Sequence, residues 1–560
     1  MLSHTDRKGQ TTTVDWDLLG RPTQVAFADG STQQYSFDAG NRLTQIADSA
    51  DGTLSNTFNG LNELTQQSSP AGTVSYTYDA AGRRITMTAG SQATVSYAYD
   101  AANRLTGITQ GSENVSFNYD VANRRIELTL PNGVTTTYDY DAASDLTGLN
   151  YADANGTVLG NIAYTYNAAG QRSGESGSLA SNVLPPATTA PATVDLNDRL
   201  TSWNGQAYTY DTDGNLTGNG TDTFVWNARN QLTAVKQGST TIASFSYDPL
   251  GRRIGTDFNG NATSYLYDGL NAVQETHGTT ATSILTGLAV DERFARTDLS
   301  GRTDFLSDAL NSTVALANSA GAIVEQYSYD PYGNTTASVS GFDNPYQYTG
   351  RENDDDGLYY YRARYYAPAT GRFISEDPIG FAGGENAYGY VNGNPISGLD
   401  PFGLVNLNLF PPGSTIYNGA NNIAIAYNDF SVGIHGNSFY FESPIQKKPL
   451  SASDLASLIE ADFAFHQGET VTLYSCNTGL NLLNGAPPVA QQLANDLDSP
   501  VQAPNSFVWI SANGDYFIGG GRSGMTEFTA TSANESMGPS FVDPGQFITY
   551  YPTYVLSNGQ

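Results

Sequence analysis

The chain has 560 residues, among them 58 Gly and 36 Tyr, and sets 25 Lys and Arg against 55 Asp and Glu for a formal net charge of −30. A surface this acidic repels phosphate backbones, so composition argues against nucleic acid as a partner. No apolar run is long enough for a membrane-spanning helix, no apolar leader opens the chain, and one cysteine, Cys476, precludes an internal disulfide.

Taken in chain order, the first four hundred or so residues repeat themselves. Tetrads of aromatic-x-aromatic-Asp or -Asn begin at Tyr35, Tyr76, Tyr97, Phe117, Tyr138, Tyr164, Tyr208, Phe224, Phe245, Tyr265 and Tyr327. From Tyr76 to Tyr138 the steps are 21, 20 and 21 residues. Side chains alternate along a strand, so the two aromatics share a face. The Asp-x-x-Gly/Asn that follows supplies a turn, and Arg-Leu-Thr or Arg-Arg-Ile starts the return strand. One such hairpin cannot bury its aromatic face alone, so neighbours must stack into a long sheet.

The words YTYDAAGRRI and YAYDAANRLT resemble the YD repeats of Rhs proteins, Tc-toxin C components and teneurins, over roughly Val14 to Leu404. The resemblance implies a mainly β fold whose hairpins coil into a hollow shell around another part of the polypeptide. From Asn344 the text changes to NPYQYTGRENDDDGLYYYRARYY and closes on NPISGLDPFGL, similar to the terminus of Rhs cores. The expected organisation is a repeat shell over 1–343, a terminus over 344–404 and an effector over 405–560.

That terminus implies self-cleavage after Leu404. Asp377 and Asp400, each followed by Pro, are expected as an aspartyl-protease-like pair, since two close carboxylates cannot both ionise. Arg372 is expected beside them to steady a carboxylate or an oxyanion. Asp-Pro steps also make ordinary turns; the surrounding words tip the reading toward cleavage.

The tail changes texture. Strands are predicted at 423–427, 431–435, 470–474, 501–503 and 507–511. Helices are predicted over 451–464, where Leu455, Leu458, Ile459 and Phe463 form one apolar stripe, and over 488–497. That order predicts a small α/β domain with a mainly parallel sheet. His435-Gly436 and Cys476 each follow an apolar strand, 41 residues apart, and chemistry gathers at the carboxyl ends of such strands. The pattern is similar to caspase-like cysteine peptidases, which implies His435 as base, Cys476 as nucleophile and the Gly436 N–H in an oxyanion hole. A lone cysteine after an apolar strand is otherwise a small buried hydrophobe.

Tail Lys and Arg number three (Lys447, Lys448, Arg522) against twelve Asp and Glu, no basic footprint for nucleic acid. No metal-ligand cluster is visible, so neither metal nor cofactor is expected. The resemblance implies a polymorphic toxin, secreted or injected without a cleaved leader. Its partners would be a protein substrate in the target cell, an immunity protein, and a secretion apparatus or partner shell protein. Two alternatives stand beside it: a non-enzymatic adhesion shell, and a tail with another hydrolase or transferase chemistry.

Overall fold

The computed structural model describes residues 2–404, apart from 168–170, 182, 186, 355 and 380–385, and beyond 404 only short strands. The chain divides into two compact units, Met1–Glu376 with Tyr388–Gly403 and Asp377–Ala387 with Leu404–Gln560.

The first unit is built on the turn that closes each repeat. In Asp100–Arg104, one oxygen of Asp100 accepts the backbone N–H groups of Ala102 and Arg104, both at 2.9 Å, while the other accepts Nε of Arg104 at 2.7 Å. The same turn recurs at Asp17, Asp38, Asp79, Asp120 and Asp248. Asn103 occupies the left-handed region at φ 64°, which asparagine tolerates better than most residues.

Each turn also reaches its neighbour. Arg104 lies 5.0 Å over the Tyr119 ring and donates to Asn123 at 3.0 Å; Arg83 lies 4.8 Å over Tyr99 and donates to Asn103 at 2.9 Å. In several tetrads the second aromatic follows a β-bulge and ties back to the preceding hairpin. Tyr99 thus donates to the Arg84 carbonyl at 2.8 Å and Tyr119 to the Leu105 carbonyl at 2.7 Å. Two repeats absent from the tetrad series use the same turn: Asp17 follows Trp16, and Asn59 follows Phe58.

The hairpins assemble into antiparallel meanders in which each strand pairs with the next. One runs from Leu2–Thr5 to Arg172–Ser176 with 17 strands, another from Thr209–Tyr210 to Thr335–Ala337 with 14. Their inner faces share one apolar cluster, in which Ile108, Val115 and Leu149 meet Leu266, Leu306 and Val314. Buried carboxylates paired with partly buried arginines stitch them together: Arg229 pairs with Asp48 at 2.6 Å, and Arg84 with Asp268 at 2.5 Å. The fold class read from the repeats holds.

A four-stranded antiparallel sheet of Glu352–Asn353, Tyr359–Tyr361, Arg364–Ala367 and Arg372–Phe373 follows. Its tyrosines pack as a knot, with Tyr366 and Tyr390 rings 4.4 Å apart and Tyr361 and Tyr390 rings at 5.6 Å. Their hydroxyls find partners inside, as aromatic O–H groups must when buried: Tyr366 donates to the Tyr332 carbonyl at 2.8 Å.

Among the described residues of the second unit, Asp429–Gly433 pairs in parallel with Thr470–Tyr474, which pairs in parallel with Val501–Pro504; Phe547–Tyr550 joins antiparallel. Phe507–Ile510 instead forms a hairpin with Tyr516–Gly519. The strand expected at 431–435 begins earlier and ends at Gly433, and His435–Gly436 pairs with Phe441–Glu442 in a separate sheet. The predicted strand at 423–427 and both predicted helices lie outside the described residues.

Candidate self-cleavage site

The segment ending at Gly403 is held by a two-residue turn. Tyr361 pairs with Arg364 across it, and Arg362 takes the left-handed conformation at φ 62°. Three consecutive carbonyls of the segment are captured there. The Arg362 guanidinium donates to Pro401, the Ala363 N–H donates to Phe402 at 3.1 Å, and Arg364 Nε donates to Gly403 at 2.5 Å. Arg364 Nη2 also lies 3.4 Å from Asp400 Oδ2, and its guanidinium stacks 3.7 Å over Phe373. Both Arg364 and Asp400 are buried, where a charge demands a charged partner.

Gly403 itself sits at φ 65°, and a Cβ there would strike the carbonyl oxygen of Tyr361. Only glycine lets the chain lie this close to the turn.

Behind the turn stands Asp291, also buried and left-handed at φ 64°. It accepts Arg351 at 2.6 Å and Arg362 at 2.8 and 3.0 Å. Burial alone would raise this carboxyl; Arg351, Arg362 and Arg293 together bring it down to about 2.

Asp377, the first of the expected pair, is buried. Its N–H donates to the Ala387 carbonyl at 2.8 Å, and its carboxylate accepts the Ile379 N–H at 3.1 Å. Arg372 donates to the Asp198 carbonyl and lies 5.6 Å over the Tyr388 ring; burial lowers its pKa. The arginine against Asp400 is Arg364, which the sequence reading passes over. Its signal was present in YYYRARYY: strand alternation puts Arg364 on the side opposite Tyr365 and in line with Tyr366.

In the second unit, the parallel pairing of Asp429–Gly433 with Thr470–Tyr474 ends on the rung Gly433–Tyr474. His435 and Cys476 are each two residues beyond that rung in sequence. Cys476 lies outside the described residues; His435 and Gly436 are described as strand backbone. Among the described residues no group of three His, Cys, Asp or Glu could hold a metal, and no helix is long and apolar enough to cross a membrane.

Known proteins share this repeat geometry. The family model described as the teneurin YD-shell matches residues 35–150 and 133–386. The chain belongs to the teneurin YD-shell family. A second model, a domain of unknown function, matches residues 405–518, starting one residue after Leu404. The tRNA nuclease WapA of Bacillus subtilis is 35% identical over 44% of this YD-shell chain and 11% of its own length. The uncharacterised protein YibJ of Escherichia coli is 40% identical over 30% of the chain and 71% of its own. The probable deoxyribonuclease RhsA of Dickeya dadantii is 34% identical over 35% of the chain and 14% of its own. The chain thus spans about a tenth of the length of its WapA relatives. A crystal structure of TcdB2–TccC3 without its hypervariable C-terminal region matches 72% of the chain and 28% of its own, with a TM-score of 0.53 at 20% identity, a likeness of fold.

These relatives correct one expectation. Two of these relatives are named as a tRNA nuclease and a probable deoxyribonuclease, so net charge alone does not exclude nucleic acid as a partner: the charge of a whole chain describes its average surface, not the local footprint of a site. None of the relatives above is named as a peptidase, and the family that matches the tail is described only as a domain of unknown function, so the likeness to caspase-like peptidases gains no support from them.

Proposed function

We propose that this chain is a YD-shell polymorphic toxin that cuts itself after Leu404 and so frees residues 405–560 as an effector. The capture of the Pro401, Phe402 and Gly403 carbonyls by a single turn carries the reading, because a bond cut once needs its approach fixed in advance. Two observations support the boundary: the compact units divide between Gly403 and Leu404, and the tail family starts at 405.

In the proposed chemistry one of Asp377 and Asp400 takes a proton from water while the other, protonated, polarises the Leu404 carbonyl. Water oxygen adds to that carbon and the Leu404–Val405 C–N bond breaks. The nitrogen leaves with a proton as the new amine, and Leu404 keeps the carboxylate. Arg364, already on Gly403 and Asp400, stabilises negative charge at the site. Asp377→Asn and Asp400→Asn are each expected to give one uncut band on a denaturing gel, where wild type gives two. Cleavage persisting in both would refute the dyad.

For the effector, the relatives' names favour an enzyme acting on nucleic acid. A second reading rests on the rung Gly433–Tyr474, from which His435 and Cys476 are equally distant in sequence: His435 would deprotonate Cys476 for attack on a peptide carbonyl, with the Gly436 N–H on the oxyanion. Expressing residues 405–560 in cells separates the two. Degraded or edited tRNA or DNA, unchanged by Cys476→Ala, supports the first. Toxicity lost in both Cys476→Ala and His435→Ala, with nucleic acid intact, supports the second. An immunity protein binding the tail and a delivery or partner shell protein complete the proposal.

A further inference from the structure

The left-handed position of the turns carries asparagine at 41, 62, 103, 123, 230 and 311, serine at 144, and aspartate at 198 and 291; of these two aspartates only Asp291 is buried. A neutral residue suits a ladder in which the asparagine accepts an arginine from another turn, as Asn41 accepts Arg21 and Asn103 accepts Arg83. Asp291 keeps the ladder through its backbone. Its N–H donates to the side-chain oxygen of Asn271 at 2.7 Å, and its carbonyl accepts the Asn311 amide at 2.5 Å. That frees the carboxylate to point elsewhere, and it pairs with Arg351 and, through both oxygens, with Arg362.

Arg362 in turn divides its donors three ways, between Asp291, the Leu270 carbonyl at 3.1 Å and the Pro401 carbonyl. A guanidinium makes these four bonds because its donors form a rigid planar fork spread over two terminal nitrogens; an ammonium has three donors on one nitrogen.

We infer that Asp291 and Arg362 are positioning residues for self-cleavage: a charged residue in one repeat turn of the shell, acting through Arg362, sets the register of the segment that ends at the scissile bond. The inference rests on the cleavage reading above, and adds that the cut depends on a completed repeat far from it in sequence. The shell becomes competent to cut when the turn at 291 is in place. A chain whose later repeats have not yet folded holds its effector uncut.

The test follows cleavage over time after cell-free synthesis of the full chain, with the melting temperature of each product measured beside it. Arg362→Lys keeps the charge that Asp291 binds but loses the fork. It is expected to fold with an unchanged melting temperature and to cut at least tenfold more slowly. Asp291→Asn is expected to slow cutting similarly, and Asp291→Glu to recover part of the rate. Slow cutting without a shift in melting separates positioning from mere support of the fold. Arg362→Lys cutting at the wild-type rate overturns the inference, whatever the other variants do. A wild-type chain that stays whole, or an Asp400→Asn chain that cuts normally, refutes the cleavage reading instead.

Discussion

Gly403 shows how much a single position settles. Its φ of 65° would cost an alanine about 1–2 kcal/mol in backbone strain before any contact is counted. The added Cβ would also collide with the Tyr361 carbonyl, which belongs to the sheet and cannot retreat cheaply. Gly403→Ala is therefore expected to lift the 400–403 segment off its turn while the shell melts within a few degrees of wild type. The measurement is the uncut fraction on a denaturing gel beside the melting curve. Normal cleavage in that variant would mean that the segment reaches its site without the close approach. The sequence pointed to this neighbourhood but to a different arginine. Arg372 was expected from the resemblance of Gly371-Arg372-Phe373 to the Rhs terminus, and its guanidinium donates to the Asp198 carbonyl. Arg364 is 36 residues from Asp400, and the folding back that joins them is long-range. Such a contact leaves no local pattern.

At the scale of one repeat, the turn was legible and the tie between turns was not. Asp-x-x-Asn-Arg names its own hydrogen bonds, all within five residues. The reach of Arg104 to Tyr119 and Asn123 spans 15 and 19 residues and appears only once neighbouring strands are in register. The repeats at Trp16 and Phe58 escaped the tetrad because their first aromatic is replaced by Val14 and Asn56; the turn chemistry survives in Asp17 and Asn59. The turn residue therefore matters more to the unit than the first ring. Asn123, at φ 63° and accepting Arg104, allows its two duties to be measured apart. Asn123→Gly keeps the backbone easy and loses only the acceptor; Asn123→Ala loses both. Chemical denaturation should find the alanine variant less stable than the glycine variant by about 1 kcal/mol. Equal stabilities would mean that the turn relaxes out of the left-handed region when asparagine is removed.

Across the whole chain, the scarcity of cations gives each one weight. Arg229 meets Asp48 at 2.6 and 2.9 Å and Asp51 at 2.7 Å, and lies 4.2 Å over the Phe27 ring, so one side chain from the later meander holds a turn of the earlier one. Nothing in the repeat text marks it: Arg229 falls in the middle of its own turn, two places before Gln231, where other turns carry the arginine that reaches along the ladder. Burial raises the Asp51 carboxyl to about 6 even with Arg229 present, while Asp48, which burial would also raise, is held below its usual range chiefly by its hydrogen bonds to Arg229. Arg229→Met removes the charge and keeps the bulk. Both carboxyls then have raised folded-state pKa values, and a carboxyl raised on folding contributes full stability below about 4, lost as pH climbs through its folded value. The variant should therefore lose about 3–5 kcal/mol near pH 8, the cost of stranding a buried charge, and a smaller amount near pH 4. If Arg229 couples the meanders as well as stabilising them, the meanders should unfold in one transition in wild type and in two in the variant at pH 8. A deficit that is the same at both pH values would show that Arg229 acts through its packing on Phe27 and not through its charge.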